Sequence, residues 1–477
     1  DGTAHDGSSF DGTTDGGLDA ASDTGADAPS DAPVCLGLDA GDGSTTYYAL
    51  RNGSLPEGGG VLQFYEPDVA NANAHGFVGG TFDGRFLYLA PNDDGTIARY
   101  DTRATFNSAA SWAFFDATVL SPDAQGFAGA LYDGRYVYMV PQQGSPSSGA
   151  AGVIVRYDTS GQFTKNGPQW TTFDLTSLPV PDAGTLTGFS GGAFDGNALY
   201  FVPYHALDSY TSRVVRYEPD AAAIDAGAVT DGGNDAGDGG EAGAGDAAPP
   251  FAPASQFATY DVTLKNNTAG GYRGGVFDGR YVYVVPGDNA VGASGLVARY
   301  DTTQPFGSSS SWAAFDLTVI DTQAVEFTGA VFDGRFVYLV PRNRGLVARF
   351  DTSNGNALSH TEAWTTFDLT TLLPSDAGAL SFAGGAFDGR FVYLIPNGTG
   401  FGFLVRYDTW STFGNDCAWS FVDLPVASSN ASASNFFGAV YDGQYLYLIP
   451  RGTYVGRFAT KTTNAMPALP GFSGSFF

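Results

Sequence analysis

Three observations in this sequence predict an all-β fold, a seven-bladed propeller of four-stranded antiparallel blades. A pattern built around an Asp-Gly step occurs seven times, every copy but the last is followed by two further strand-like runs, and the run missing from the last copy is present near the other end of the chain. Internal repetition of this length, with strands rather than helices in each unit, is the mark of blades around a ring, which protects sheet edges by closure.

The first half of each unit reads as in "GFVGGTFDGRFLYLAP" or "SFAGGAFDGRFVYLIP", with its Asp at 83, 133, 195, 278, 333, 388 and 442. Asp-Gly between two aromatic or β-branched runs predicts a hairpin, strand a then strand b, joined by a type I′ turn with Asp and Gly both at positive φ. Each strand b runs into a proline (91, 141, 203, 286, 341, 396 and 450), which has no N–H for a ladder and so ends the strand. A third strand, c, ends in "ARYDT", "VRYDT" or a close variant, and a fourth, d, follows as "WAFFD", "WTTFD", "FATYD" or "WSFVD". The seventh copy lacks strand d, and "LQFYE" before the first copy supplies it. The ring is therefore expected to close with one N-terminal strand completing a last blade of three C-terminal strands.

Composition agrees. Aromatics make up 14% of the 477 residues and glycine 66 of them, as many short strands and tight turns require, and helical bundles are excluded. Lys plus Arg number 22 against 50 Asp plus Glu, a formal charge of −28 that repels nucleic acid and anionic membrane surfaces. No apolar run approaches the roughly 20 residues of a spanning helix. Residues 1–34 carry eight Asp and no Lys or Arg, and 220–248 carry seven acids and no Lys or Arg. Such segments cannot bury enough apolar area to offset their ordering entropy. The expected organisation is an acidic tether (1–34), a lead-in (35–60), the propeller (61–460) with the acidic insertion 220–248 in blade 3, and an aromatic tail (461–477).

The glycine pair near a hairpin, the aromatic strand, the "RYD" and the Trp some ten residues on resemble the Kelch-type propeller repeat over about residues 60 to 460. One departure stands out: Kelch repeats place their glycine pair after the second strand, where this chain has Val-Pro or Ile-Pro, and its own Gly-Gly or Gly-Ala lies on the first. The resemblance implies a binding scaffold, although a few Kelch-like propellers are oxidases with a copper site. The acidic tracts are similar in composition to the tethers of exported proteins and lipoproteins of myxobacterium-like bacteria.

Few residues offer chemistry. In a propeller the loops before strand a and between b and c share one face, and the Asp-Gly turns and c–d loops share the other. His75 and His205 then lie on the first face and His360 on the second, which excludes a three-His metal site, and all three are expected as exposed loop residues. No HExxH, GxSxG or P-loop is present, and no unique acid pair is legible. Arg85, Arg135, Arg280, Arg335 and Arg390 recur after the turns and are expected to solve a packing problem, for instance by pairing with the Asp of "RYDT" or of "FDL" next door. Trp112, Trp170, Trp312, Trp364 and Trp419 are expected as wedges between blades, each burying on the order of 200 Å². No cofactor is expected beyond weak calcium binding by the Asp-rich tail, whose spacing lacks the ligand pattern of an EF-hand. Cys35 and Cys417, assigned to one face in adjacent blades, suit one disulfide worth up to about 5 kcal/mol, which agrees with an oxidising compartment.

The sequence thus points to an exported, extracellular or cell-surface propeller without catalysis, held by a tether with any lipid anchor upstream of residue 1, and acting as a binding or structural module for a protein or glycan. Its expected ligand face carries His75, Phe77, Phe127, His205, Tyr272, Phe327, Phe382 and Phe436, on or beside the segments that ring the channel mouth. The alternatives are a subunit that self-assembles into an extracellular filament or surface layer through its termini, with Phe472, Phe476 and Phe477 as contacts, and a lectin or Kelch-like enzyme.

Overall fold

A computed structural model describes residues 62–143, 152–180, 184–207, 209–219, 251, 254–355, 357–373, 380–398 and 400–461. Within them lie seven four-stranded antiparallel sheets. Blade 1 consists of Phe77–Phe82, Phe86–Pro91, Thr96–Asp101 and Trp112–Asp116, in that order from strand a to strand d. Blades 2 to 6 repeat it, beginning at Phe127, Phe189, Tyr272, Phe327 and Phe382. Blade 7 joins Phe436–Tyr441, Tyr445–Pro450 and Val455–Ala459 to Leu62–Tyr65, with Leu62 opposite Phe458 and Tyr65 opposite Val455. Strand a of each blade packs against strand a of the next, and the circuit closes between blades 7 and 1.

The hairpin turns differ from the expected type in an instructive way. Gly84 has φ 96°, but none of the seven turn aspartates is among the non-glycine residues at positive φ. Glycine at the first central position is the type II′ choice rather than type I′. The aspartate sits just before the turn and does a different job. Asp83 Oδ1 accepts from the N–H of Arg85 at 2.8 Å and of Phe86 at 2.6 Å, and Oδ2 accepts from the Tyr88 hydroxyl at 2.7 Å. The same three bonds recur at Asp388 with Arg390, Phe391 and Tyr393. A carboxylate that takes three donors locks the hairpin and pins a buried tyrosine two residues into strand b.

The arginine after the turn completes the device. Arg85 Nη2 meets Asp101 Oδ2 at 2.7 Å, and the pair recurs as Arg135–Asp158, Arg280–Asp301, Arg335–Asp351 and Arg390–Asp408. Burial pushes the Asp351 carboxyl up, but the Arg335 guanidinium and the Ser353 hydroxyl and N–H outweigh it and hold it at about 2. A lowered carboxylate pKa gives stability that is present above the unfolded value and lost as pH falls through the folded one. The urea-midpoint difference between the wild type and Asp351→Asn is therefore expected to be constant above pH about 4 and to shrink toward pH about 2. A difference that stays flat or widens over that interval contradicts the pairing.

Between blades, the tryptophans are the wedges their recurrence predicts. Trp170 stacks on Phe115 of blade 1 at 3.9 Å between centroids, Trp312 on Tyr260 at 4.5 Å and Trp419 on Phe367 at 4.7 Å. Trp112 stacks on Tyr65, so the closing strand supplies the platform for blade 1. Each indole N–H donates to a carbonyl six or seven residues earlier, as from Trp170 to Phe163 at 3.2 Å, which satisfies the one polar atom of a buried ring. No helix among the described residues is long and apolar enough to cross a membrane.

Candidate functional site

The two faces of the ring are unlike. On one, the d–a connections meet the b–c loops: Gly126 N–H donates to Asp94 O, and Asn92 N–H to Gly76 O. In blades 1 to 6 strand d ends in an Asp that caps a short turn, as Asp116 accepts from Thr118 N–H at 2.9 Å, and in blade 7 Glu66 precedes the equivalent turn without capping it. The first residue of that turn is buried and the third points out. In five blades the third is aliphatic: Val69, Val119, Leu264, Val319 and Val426, all exposed. Two more exposed aliphatics, Leu207 and Val291, sit between the strands of small two-stranded ribbons in the b–c loops of blades 3 and 4. Seven of the eight large exposed hydrophobics among the described residues thus share this face, and the eighth, Trp410, lies in a c–d loop on the other.

The opposite face is where the chain joins and leaves the ring. Leu62 begins strand d of blade 7 and Lys461 follows its strand c, with the Lys461 ammonium donating to Asp388 O of a hairpin turn at 2.7 Å. The acidic insertion is also joined there, between Pro219 and Phe251.

The aromatics expected on the ligand face are buried. Phe77, Phe127, Tyr272, Phe327, Phe382 and Phe436 are at most 1% exposed. They begin strand a, and the alternation of a strand turns that position into the core while the following residue faces away from it. His205 is not a free loop residue either. It pairs with Tyr210 across the blade 3 ribbon, its ring 4.8 Å from the tyrosine and edge-on. His75 is half-buried, and His360 is exposed on the opposite face before strand d of blade 5. Phe472, Phe476, Phe477, Cys35 and the Asp-rich tail lie outside the described residues, whereas Cys417 lies in the short turn Asp416–Ala418 before strand d of blade 6. Among the described residues no group of three or more His, Cys, Asp or Glu is placed to hold a metal ion.

What the structure does bring together on the aliphatic-rimmed face is a charged cluster from blades 3 to 5. Asp288, in the b–c loop of blade 4, receives Arg273 Nη2 at 3.3 Å and Arg342 Nη1 at 2.7 Å on one oxygen, Oδ2. Glu326, just before strand a of blade 5, receives Arg344 Nε at 3.4 Å and lies 3.9 Å from Arg342. Arg273 also lies over the Tyr204 ring at 4.0 Å and donates to its hydroxyl. Burial pushes the Asp288 carboxyl up, but the Arg342 and Arg273 guanidinium groups hold it below the ordinary value. Asp288 and Glu326 form the acid pair that the sequence did not reveal.

Glu326 departs from the repeat in residue type at a position whose left-handed backbone is kept, as it is by Asn435 of blade 7 at φ 61°. The same position is Gly76, Gly126, Gly188 and Gly271 in the first four blades, at φ 64° to 73°, whereas Glu326 holds φ 59° with a full side chain. A left-handed non-glycine residue costs of order 1 kcal/mol or more and persists only where its surroundings hold it. The replacement of glycine by Glu in "VEF" and the Arg after Pro341 were the signals in the sequence.

No family model matches the chain, and no curated protein matches it. The solved structures it is similar to are propellers. The virginiamycin B lyase of Staphylococcus aureus matches over 83% of this chain and 98% of its own, at 12% identity and TM-score 0.51. A catalytically inactive variant of that lyase, with quinupristin, matches over the same shares at 13% identity and TM-score 0.51. At such identity the likeness is one of fold alone.

Proposed function

We propose that the protein is a non-catalytic binding module, extracellular or held at a cell surface, that takes a protein or glycan ligand on the face formed by the d–a connections and b–c loops. The observation that carries this is the one-sidedness of the ring: the exposed aliphatics and the repeat-breaking charged cluster share one face, while the acidic segments join the other. Single exposed aliphatics are ordinary, but their confinement to one face that also carries a charged cluster is the pattern of an interaction surface. The recurrent carboxylates and arginines are committed to hairpins and blade edges, which leaves them no part in chemistry. The Kelch-like character of the repeat supports a scaffold role. The extracellular setting rests on the tether-like composition of the acidic tracts and on the Cys35 and Cys417 pair.

Peptide and glycan arrays probed with the full chain test this reading. Substituting Leu264 and Val319 with Asp, both exposed and thus neutral to folding, is expected to reduce binding to the ligands found by about tenfold or more, while Trp410→Ala leaves it unchanged. The ligand is expected to be recovered with its mass unaltered. Loss of binding through Trp410→Ala alone, or conversion of the ligand, would sink the proposal.

A further inference from the structure

We infer that Arg342, held beside Arg273 by the Asp288 carboxylate they share, forms a seat for a carboxylate of a peptide ligand, an inference that rests on the binding-face reading above and names its chemistry. At the hairpin turns the guanidinium fork is filled: Arg85 places Nε and Nη2 on the two oxygens of Asp101 at 3.4 and 2.7 Å, and Arg390 does the same with Asp408 at 3.1 and 2.6 Å. Arg273 breaks that pattern. Its Nη2 is taken by both Asp288 and the Tyr204 hydroxyl, and its Nε is buried, so it orients Asp288 and offers no edge of its own. Arg342 bonds through Nη1 alone, leaving its Nε and Nη2 without partners among the described residues, on a side chain about one-third exposed.

Charge counting agrees. Three guanidinium groups, those of Arg273, Arg342 and Arg344, face two carboxylates, those of Asp288 and Glu326. One oxygen of Asp288 serves two arginines. One positive charge is in excess, on a chain whose formal charge is −28. A planar carboxylate is the group that matches the open Nε–Nη2 edge of Arg342 with two parallel bonds. The left-handed Glu326 keeps a second acid in contact with Arg342 and Arg344, so the arginines stay oriented without being filled.

The surroundings favour a peptide over a sugar. Leu207 and Val291, 67% and 82% exposed, flank the cluster and offer aliphatic contact that a hydroxylated ring would not use. Tyr204, on which a sugar would stack, already has Arg273 across its face at 4.0 Å. The occupant is thus an extended segment with an Asp, a Glu or a terminal carboxylate next to aliphatic side chains.

The test is selection of a displayed library of random short peptides on the full chain, followed by calorimetry of the selected sequences, with oligogalacturonate titrated alongside. The expected result is a shared acidic position flanked by aliphatics, whose change from Glu to Gln or Asp to Asn weakens binding by about tenfold or more. In Arg342→Gln that acid dependence should vanish while the unfolding midpoint stays near wild type. Arg342→Lys, which keeps the charge but loses the fork, should recover only part of it. Acid dependence that survives Arg342→Gln overturns the seat. Selected peptides with no acidic position, yet sensitive to the Leu264 and Val319 substitutions, overturn it while leaving the binding face standing. Binding of oligogalacturonate with no peptide selected makes the ligand a glycan and overturns it too, and no ligand of either kind defeats both readings.

Discussion

Trp170→Ala is expected to lower the unfolding free energy by about 3–5 kcal/mol, the range for deleting a buried aromatic. The ring is 4% exposed, stacks on Phe115 at 3.9 Å and nearly parallel, touches Tyr157 at 4.4 Å, and gives its N–H to Phe163 O. Truncation removes the wedge between blades 1 and 2, opens a cavity that two separate sheets cannot collapse into, and strands a carbonyl. Trp170→Phe should cost much less, because blade 3 already uses Phe257 at the equivalent place, stacked on Phe173 at 4.4 Å. Denaturant unfolding of the two variants measures this. A loss under about 1 kcal/mol for the alanine variant would mean that the blades are held together by something other than this stack.

Arg390→Ala comes second, with an expected loss of about 3–5 kcal/mol, while the chemically identical Arg335→Ala is expected to lose far less. The two arginines make the same fork to the aspartate that ends strand c. Their surroundings differ. The Arg390 and Asp408 side chains are 8% and 5% exposed, against 62% and 20% for Arg335 and Asp351. Removing Arg390 leaves a buried charge that neither water nor another cation compensates, whereas the Asp351 carboxylate and its solvent reach each other once Arg335 is gone. Equal losses at the two sites, measured by the same denaturant titration, would contradict the account of these pairs as burial-dependent.

The ring itself is legible because its parts recur. Seven Asp-Gly steps, seven closing prolines and the displaced "LQFYE" fix blade number and closure without reference to any contact. The turn type was misread because the Asp was assigned the backbone role that Gly84 plays alone, and its side-chain role toward Arg85, Phe86 and Tyr88 shows only when the donors are in place. The burial of the strand-a aromatics was misread for a related reason. Phe77 and its counterparts recur at the channel mouth, but recurrence marks packing, and strand alternation turns them inward. The residues that do gather on that face are the ones that break the repeat: Arg273, Asp288, Glu326 and Arg342 are spread over some 70 residues of sequence in two blades and meet Tyr204 of a third only through the curvature of the ring. Deviations of this kind look like noise along a sequence until the regular part has been placed in space.

The face assignment is tested most directly by hydrogen–deuterium exchange of the full chain with and without a ligand taken from the arrays or the peptide selection. Protection confined to residues 204–212, 262–266, 287–295, 317–326 and 342–345, with the hairpin turns at 83–86 and 388–391 unchanged, is the result this account expects. Protection centred on those turns, or on the c–d loop around Trp410, would place the ligand on the opposite face and contradict it.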